Sequence, residues 1–214
     1  MYNLPMIRLG ARGVEGAASP SERRRLRRQL ELYAHAKLPG FLTPEAYRIV
    51  REQLARTEFR EFENLENREQ RQIPKERSAE VFLWLALKDP KLLAFVEDVT
   101  GCGPIKGVTG TVARMEPGTH RLGWHTDLEG GSRIAAMTLN LTPGPVKGGR
   151  LQLRRLGEEK LLGDIPYTRP RDLILFRVGR ALEHRSTMVE GKRPKTIYAG
   201  WFHAKPVDNA QGRA

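Results

Sequence analysis

A chain of 214 residues with 39% hydrophobic content holds enough apolar material for one sizeable core, so a single domain is expected. Its 29% charged and 7% aromatic content excludes wholesale disorder and fibrous repeats, and a single cysteine, Cys102, excludes an internal disulfide and a cysteine-rich zinc site. The formal charge of +12 describes either a field that attracts acidic partners or nucleic acid, or a solvated basic surface.

Residues 1–18 read as a flexible tail, because Gly10, Gly13 and Gly16 interrupt any period. They lack the continuous apolar stretch of a secretory signal or a membrane span, so a cytoplasmic location without a membrane partner is expected. Ser19-Pro20-Ser21-Glu22 forms a capping box with proline at the first helical position and predicts a helix over Arg23–Ala36. Leu26, Leu30 and Tyr33 make its apolar stripe, leaving most of Arg23, Arg24, Arg25, Arg27 and Arg28 in solvent. Thr43-Pro44-Glu45 opens a second helix with Ala46, Tyr47, Val50 and Leu54 inward.

From Arg60 to Arg77 the chain is dense in charge and poor in aliphatics, which predicts an exposed connection or a lid. Ser78 is expected to cap a short helix carrying Phe82, Leu83, Trp84 and Leu87, and Asp89-Pro90 starts another with Leu92, Phe95, Val96 and Val99. After Gly101 the periodicity changes to two. Strands are predicted near Val108–Met115, Arg133–Leu141, Arg150–Leu156, Asp172–Val178 and Lys195–His203, separated by Gly and Pro turns. Residues 19–104 thus form a helical support and 105–205 a β core within one domain, followed by a tail at 206–214. Helices followed by short antiparallel strands predict an α+β chain with a double-sheet sandwich or jelly roll.

Two of the five histidines stand in suggestive settings. In Trp124-His125-Thr126-Asp127, extended backbone projects an imidazole and a carboxylate to the same side. His184 follows 59 residues later, just beyond the apolar run Leu173–Val178. Two histidines and a carboxylate on one face of a metal leave its other face open, the arrangement suited to non-haem Fe(II). Trp124 and Trp201 read as packing residues, and His120 and His203 as surface or supporting groups. Arg114 and Arg180 are candidates for a substrate carboxylate.

The ordered series Gly118…Trp124-His125-Thr126-Asp127, Gly148-Gly149-Arg150-Leu151, Asp172-Leu173-Ile174-Leu175-Phe176…His184 and Lys195-Thr196-Ile197-Tyr198-Ala199-Gly200-Trp201-Phe202 resembles the 2-oxoglutarate/Fe(II)-dependent dioxygenases of the prolyl-hydroxylase-like branch. The likeness covers roughly residues 105 to 203, with a looser match at Leu38-Pro39-Gly40-Phe41-Leu42. It implies a double-stranded β-helix (jelly-roll) core flanked by N-terminal helices. It also implies Fe(II) held by His125, Asp127 and His184, with 2-oxoglutarate and O2 as cosubstrates. The family places a cation for the far carboxylate of 2-oxoglutarate on the strand after the distal histidine. Lys195 is preferred over Arg193, because Pro194 marks the beginning of that strand. Many relatives carry a tyrosine where this chain has Met115, whose thioether cannot donate a hydrogen bond, so either another group such as Thr109 or Thr111 covers that end or the cosubstrate pocket differs from the family pattern.

The retained carboxylate of Asp127 implies hydroxylation rather than halogenation. The expected reaction hydroxylates an unactivated C–H bond of a peptide, a protein side chain or a small amino-acid-like molecule, releasing succinate and CO2. The alternatives are oxidative demethylation of nucleic acid and a non-enzymatic, basic nucleic-acid-binding adaptor with a degenerate domain. The demethylating branch carries an Arg where Trp201 stands, which counts against the first, and the intact triad counts against the second.

Overall fold

A computed structural model describes residues 7–65, 69–128, 131–166 and 169–207. The chain begins with a hairpin, β1 (Arg8–Gly10) and β2 (Gly13–Glu15), where a flexible tail was expected. Gly13 supplies the turn with a φ of +123°, and the Val14 amide donates to the Asp89 carboxylate. Leu9 is fully buried, its amide donating to the Phe41 carbonyl and its carbonyl accepting from Thr43. Residues 1–6 of the expected tail, and 208–214 at the other end, lie outside the described residues.

Helix α1 (Pro20–Tyr33) starts at the capping box, with Ser19 and Glu22 each accepting the other's backbone N–H. It stops earlier than expected, because Ala34 turns left-handed at a φ of 60° and the chain enters β3 (His35–Leu38). Thr43 caps α2 (Pro44–Arg56) through its hydroxyl. The charged stretch that follows is a hairpin, β4 (Phe59–Asn64) and β5 (Glu69–Pro74), rather than an unstructured connection. Alternation sorts its charge: Glu61, Glu63, Gln70 and Gln72 share one face and bond across it, while Phe62, Asn64, Glu69 and Arg71 share the other.

Helix α3 (Ser78–Leu87) takes Ser78 as its first residue and has no side-chain cap, whereas Asp89 caps α4 (Pro90–Thr100). The strands β6 (Gly107–Met115), β7 (Leu122–His125), β8 (Arg133–Asn140), β9 (Lys147–Gly148), β10 (Leu151–Arg155), β11 (Leu161–Ile165), β12 (Leu173–Arg177), β13 (Leu182–Ser186), β14 (Val189–Glu190) and β15 (Lys195–His203) complete the chain.

Two antiparallel sheets face each other as a jelly roll. The major sheet runs β3-β12-β8-β15-β6-β5-β4 and the minor one β11-β10-β13-β7, while β9 and β14 form a short ribbon. The helices cover the outer face of the major sheet, burying Leu30, Val50, Leu83 and Phe95 against Val108, Val112, Tyr198 and Phe202. A second apolar cluster lies between the sheets, where Leu151, Leu153 and Ile165 meet Ala136, Ile174 and Phe176. Fully burying one such side chain contributes roughly 1.5–3 kcal/mol. The space left between the sheets beside that cluster is the site described next.

Candidate metal centre and cosubstrate pocket

His125 and His184 are direct cross-strand partners on β7 and β13, with ring centroids 4.2 Å apart. Between this pair and the next, Leu122 with Ser186, two residues of β7, Gly123 and Trp124, oppose one of β13, Arg185. That bulge aims both Leu122 and His125 into the same cavity. Asp127 follows the end of β7, its Oδ1 3.7 Å from His125 Nε2 and its Oδ2 3.5 Å from His184 Nε2. One ligand atom from each of the three residues lies within 4.8 Å of the others.

The donor set suits a divalent metal. Burial pushes the His184 pKa down to about 4 against the pull of Asp127, so its imidazole is neutral and has a free lone pair. A carbonyl can only accept, so His125 Nδ1 donates to the Gly123 oxygen 2.9 Å away and Nε2 is left as the unprotonated ligand atom. Asp127 Oδ2 is buried without a hydrogen-bond partner, a cost that a coordinated cation removes. Phe176 packs edge-on against His184, with ring centroids 5.0 Å apart, and fixes its ring.

The cavity, of about 130 Å³, runs from these three side chains to Lys195 on β15. Lys195 is 8% exposed, and among the described residues no carboxylate pairs with it; its ammonium donates to the Gly149 carbonyl. Burial alone lowers its pKa to about 8. Gly149 has a φ of +59°, and a Cβ there would stand 2.9 Å from Lys195 Cδ, so the Gly148-Gly149 turn is what admits the lysine stem. Met115 lies directly across from Lys195 in register, and its sulfur accepts from the Ser186 hydroxyl at 3.7 Å. Ser186 lines the cavity and is a donor that the sequence reading missed; its signal was its position two residues after His184 on the same strand.

The remaining expectations divide. Arg193 is exposed, beside Gly144 and outside this cavity, because β15 begins only at Lys195. Thr111 lines the cavity, but its hydroxyl donates to Glu80 at 2.7 Å, so its hydrogen is not available to a cosubstrate carboxylate. Glu80 also accepts from the Val112 amide and from Arg77, closing the edge of β6 where β5 diverges. Thr109 is bonded to His203, whose other ring nitrogen meets Ser132. Trp124 lies outside the cavity between Arg154 and Arg185, and His120 bridges the Glu116 amide to Glu61. Trp201, expected as packing, lines the cavity beneath Arg133, whose guanidinium is 4.2 Å from the ring centroid and 3.4 Å from Asp127. Arg114 is engaged by Glu116 and Phe59, away from the site.

A jelly roll with two histidines and a carboxylate between its sheets, and a buried lysine at the end of the same pocket, defines a non-haem Fe(II), 2-oxoglutarate-dependent oxygenase. Comparison with known families agrees: residues 110–203 match the 2OG-Fe(II) oxygenase superfamily. Its cofactor is Fe(II) and its cosubstrates are 2-oxoglutarate and O2.

Among solved structures, a 2OG-Fe(II) oxygenase family oxidoreductase from Burkholderia pseudomallei has a TM-score of 0.65 at 16% identity, over 94% of this chain and 98% of its own. A Pseudomonas putida prolyl-4-hydroxylase has 0.62 at 18%, over 85% and 98%. A Trichoplax adhaerens prolyl hydroxylase, solved with a hypoxia inducible factor peptide fragment, has 0.66 at 19%, over 85% and 88%. These likenesses are of fold, the prolyl-hydroxylase-like form of the jelly roll. No curated protein matches the chain by sequence. Among the described residues, no helix is long and apolar enough to cross a membrane.

Proposed function

We propose that the protein hydroxylates an unactivated C–H bond of a peptide, a protein side chain or a small amino-acid-like molecule. The observation that carries this reading is one cavity with the His125, Asp127 and His184 ligand atoms in it and an unpaired, buried Lys195 at its end. When bound, Fe(II) and 2-oxoglutarate supply O2 activation coupled to oxidative decarboxylation, giving succinate and CO2.

The chain's own groups do the holding. His125, Asp127 and His184 would bind the metal, and Asp127 brings the negative charge that keeps the centre's total charge low. Lys195 would hold the far carboxylate of the cosubstrate, joined by the Ser186 hydroxyl once it exchanges its long bond to the weakly accepting Met115 sulfur, and Gly149 leaves the room for it. Leu122, Phe176 and Trp201 wall the pocket and limit water near the reacting groups. Asp127 stands where a halide would otherwise need space, which favours hydroxylation.

Succinate release from 2-oxoglutarate under metal-controlled conditions tests the reading. The wild type is expected to bind one Fe(II) and to release succinate, while His125→Ala, Asp127→Ala and His184→Ala each lose both properties. Turnover retained in all three variants would remove the metal centre from these residues.

A further inference from the structure

The cavity contains charge beyond that of the three ligand residues and Lys195. It is walled by the inner face of the β4–β5 hairpin, where alternation places Phe62, Asn64, Glu69 and Arg71 together. Arg71 is 13% exposed in its side chain. One end nitrogen meets Glu69 Oε1 at 2.9 Å, and the guanidinium lies 4.8 Å from the Phe62 ring centroid. Its Nε is buried with no hydrogen-bond partner. Trp201 Nε1, on another wall of the same cavity, is likewise a buried donor without an acceptor. Two orphaned donors on residues that line one cavity are costly unless an acceptor reaches them.

The charge count indicates the sign of that acceptor. A divalent cation and the dianion 2-oxoglutarate cancel, as do Asp127 and Lys195. Arg77 and Glu80, behind the wall, are paired with each other at 2.7 Å. Left facing the cavity are Arg71 and Arg133 against Glu69, one positive charge in excess. Burial depresses the Arg71 pKa and only Glu69 and Glu80 oppose that, so its guanidinium is under-compensated.

We infer that Arg71 is a specificity-determining residue and that the substrate presents a carboxylate to it, with Trp201 Nε1 as a second donor. The inference rests on the proposed oxygenase reading and narrows its substrate to molecules bearing a free carboxylate: an amino acid, or the C-terminus of a short peptide. A guanidinium fork gives such a group two parallel hydrogen bonds, which a neutral amide cannot reproduce. The hairpin that the charged sequence builds is therefore a reader of the substrate's acid group.

The test uses matched pairs, free L-amino acids and di- and tripeptides against their C-terminal amides, offered to the protein with Fe(II) and 2-oxoglutarate. Calorimetry without oxygen measures binding, and succinate release with oxygen measures stimulation. In the wild type at least one acid is expected to bind about tenfold or more tightly than its amide, the size of a charge-assisted bond. Amino acids responding alone, or peptides alone, distinguishes the two sources. In Arg71→Gln the preference should fall to within about twofold, and Arg71→Lys should keep part of it, which also guards against a merely unfolded variant. An acid preference intact in Arg71→Gln would overturn the inference, as would a raised KM for 2-oxoglutarate with no change in preference. A wild type that responds to no acid more than to its amide would also overturn it. If the wild type releases no succinate at all, the oxygenase reading itself fails, which is a different result.

Discussion

Lys195 shows how one residue's burial sets a pH dependence. Without an anion beside it, burial favours its neutral form and brings the pKa to about 8. A bound carboxylate favours the ammonium and raises that value again. Binding of 2-oxoglutarate therefore takes up a proton wherever the free protein's lysine has already lost one, which is above about pH 8. The expected outcome is a KM for 2-oxoglutarate that is flat below pH 8 and climbs above it, by up to about tenfold per pH unit. Lys195→Arg should flatten the profile, because a guanidinium stays charged across this range, and Lys195→Ala should raise KM at every pH. Succinate release against 2-oxoglutarate concentration from pH 7 to 9.5 measures all three. A rising profile kept by Lys195→Arg would place the titrating group elsewhere.

Elements position these residues, and some of them were easier to read than others. The β1–β2 hairpin ties Leu9 into the backbone of residues 41–43 and Val14 to Asp89, the cap of α4. Leu9→Ala is expected to destabilise the fold by roughly 2–5 kcal/mol, the cost of emptying a fully buried leucine site, whereas a tail residue would cost almost nothing. Urea unfolding followed by circular dichroism distinguishes the two. Three of the four helices were legible because Ser19, Thr43 and Asp89 carry local start signals and Pro follows each, whereas α3 has no side-chain cap and was legible from its apolar run alone. His125, Asp127, His184 and Lys195 were legible because motif order and strand parity are local too. The hairpins β1–β2 and β4–β5 were not, since three-residue strands give no period and charged alternation reads as exposure when the buried face itself holds Glu69 and Arg71. Arg193 and Thr111 shared the right parity with the cavity, but where β15 begins and what Glu80 reaches are facts of tertiary packing.

At the scale of the whole molecule, the basic surface is partly occupied by the fold itself. Arg23 and Arg27 of α1 both bind Asp98 on α4, so two of the five clustered arginines fasten helices together. The interior matters more for stability, because the space between the sheets holds an unpaired ammonium at one end and an orphaned carboxylate oxygen at the other. Metal and cosubstrate each relieve one of these, and a ligand that binds only the folded state stabilises it by about 2.7 kcal/mol at 100 times its Kd. For a chain of this size that corresponds to a rise in Tm of roughly 5–10 °C per ligand. The two increments should depend on each other, since 2-oxoglutarate is to be held by metal and lysine together. Mn(II) in the absence of turnover is expected to raise Tm in the wild type and in Lys195→Met, while added 2-oxoglutarate raises it further only in the wild type. His184→Ala should show neither increment. Differential scanning calorimetry of the three proteins provides the check. A full 2-oxoglutarate increment in His184→Ala would mean that the cosubstrate docks without the metal, and the two ends of the cavity would then be separate sites.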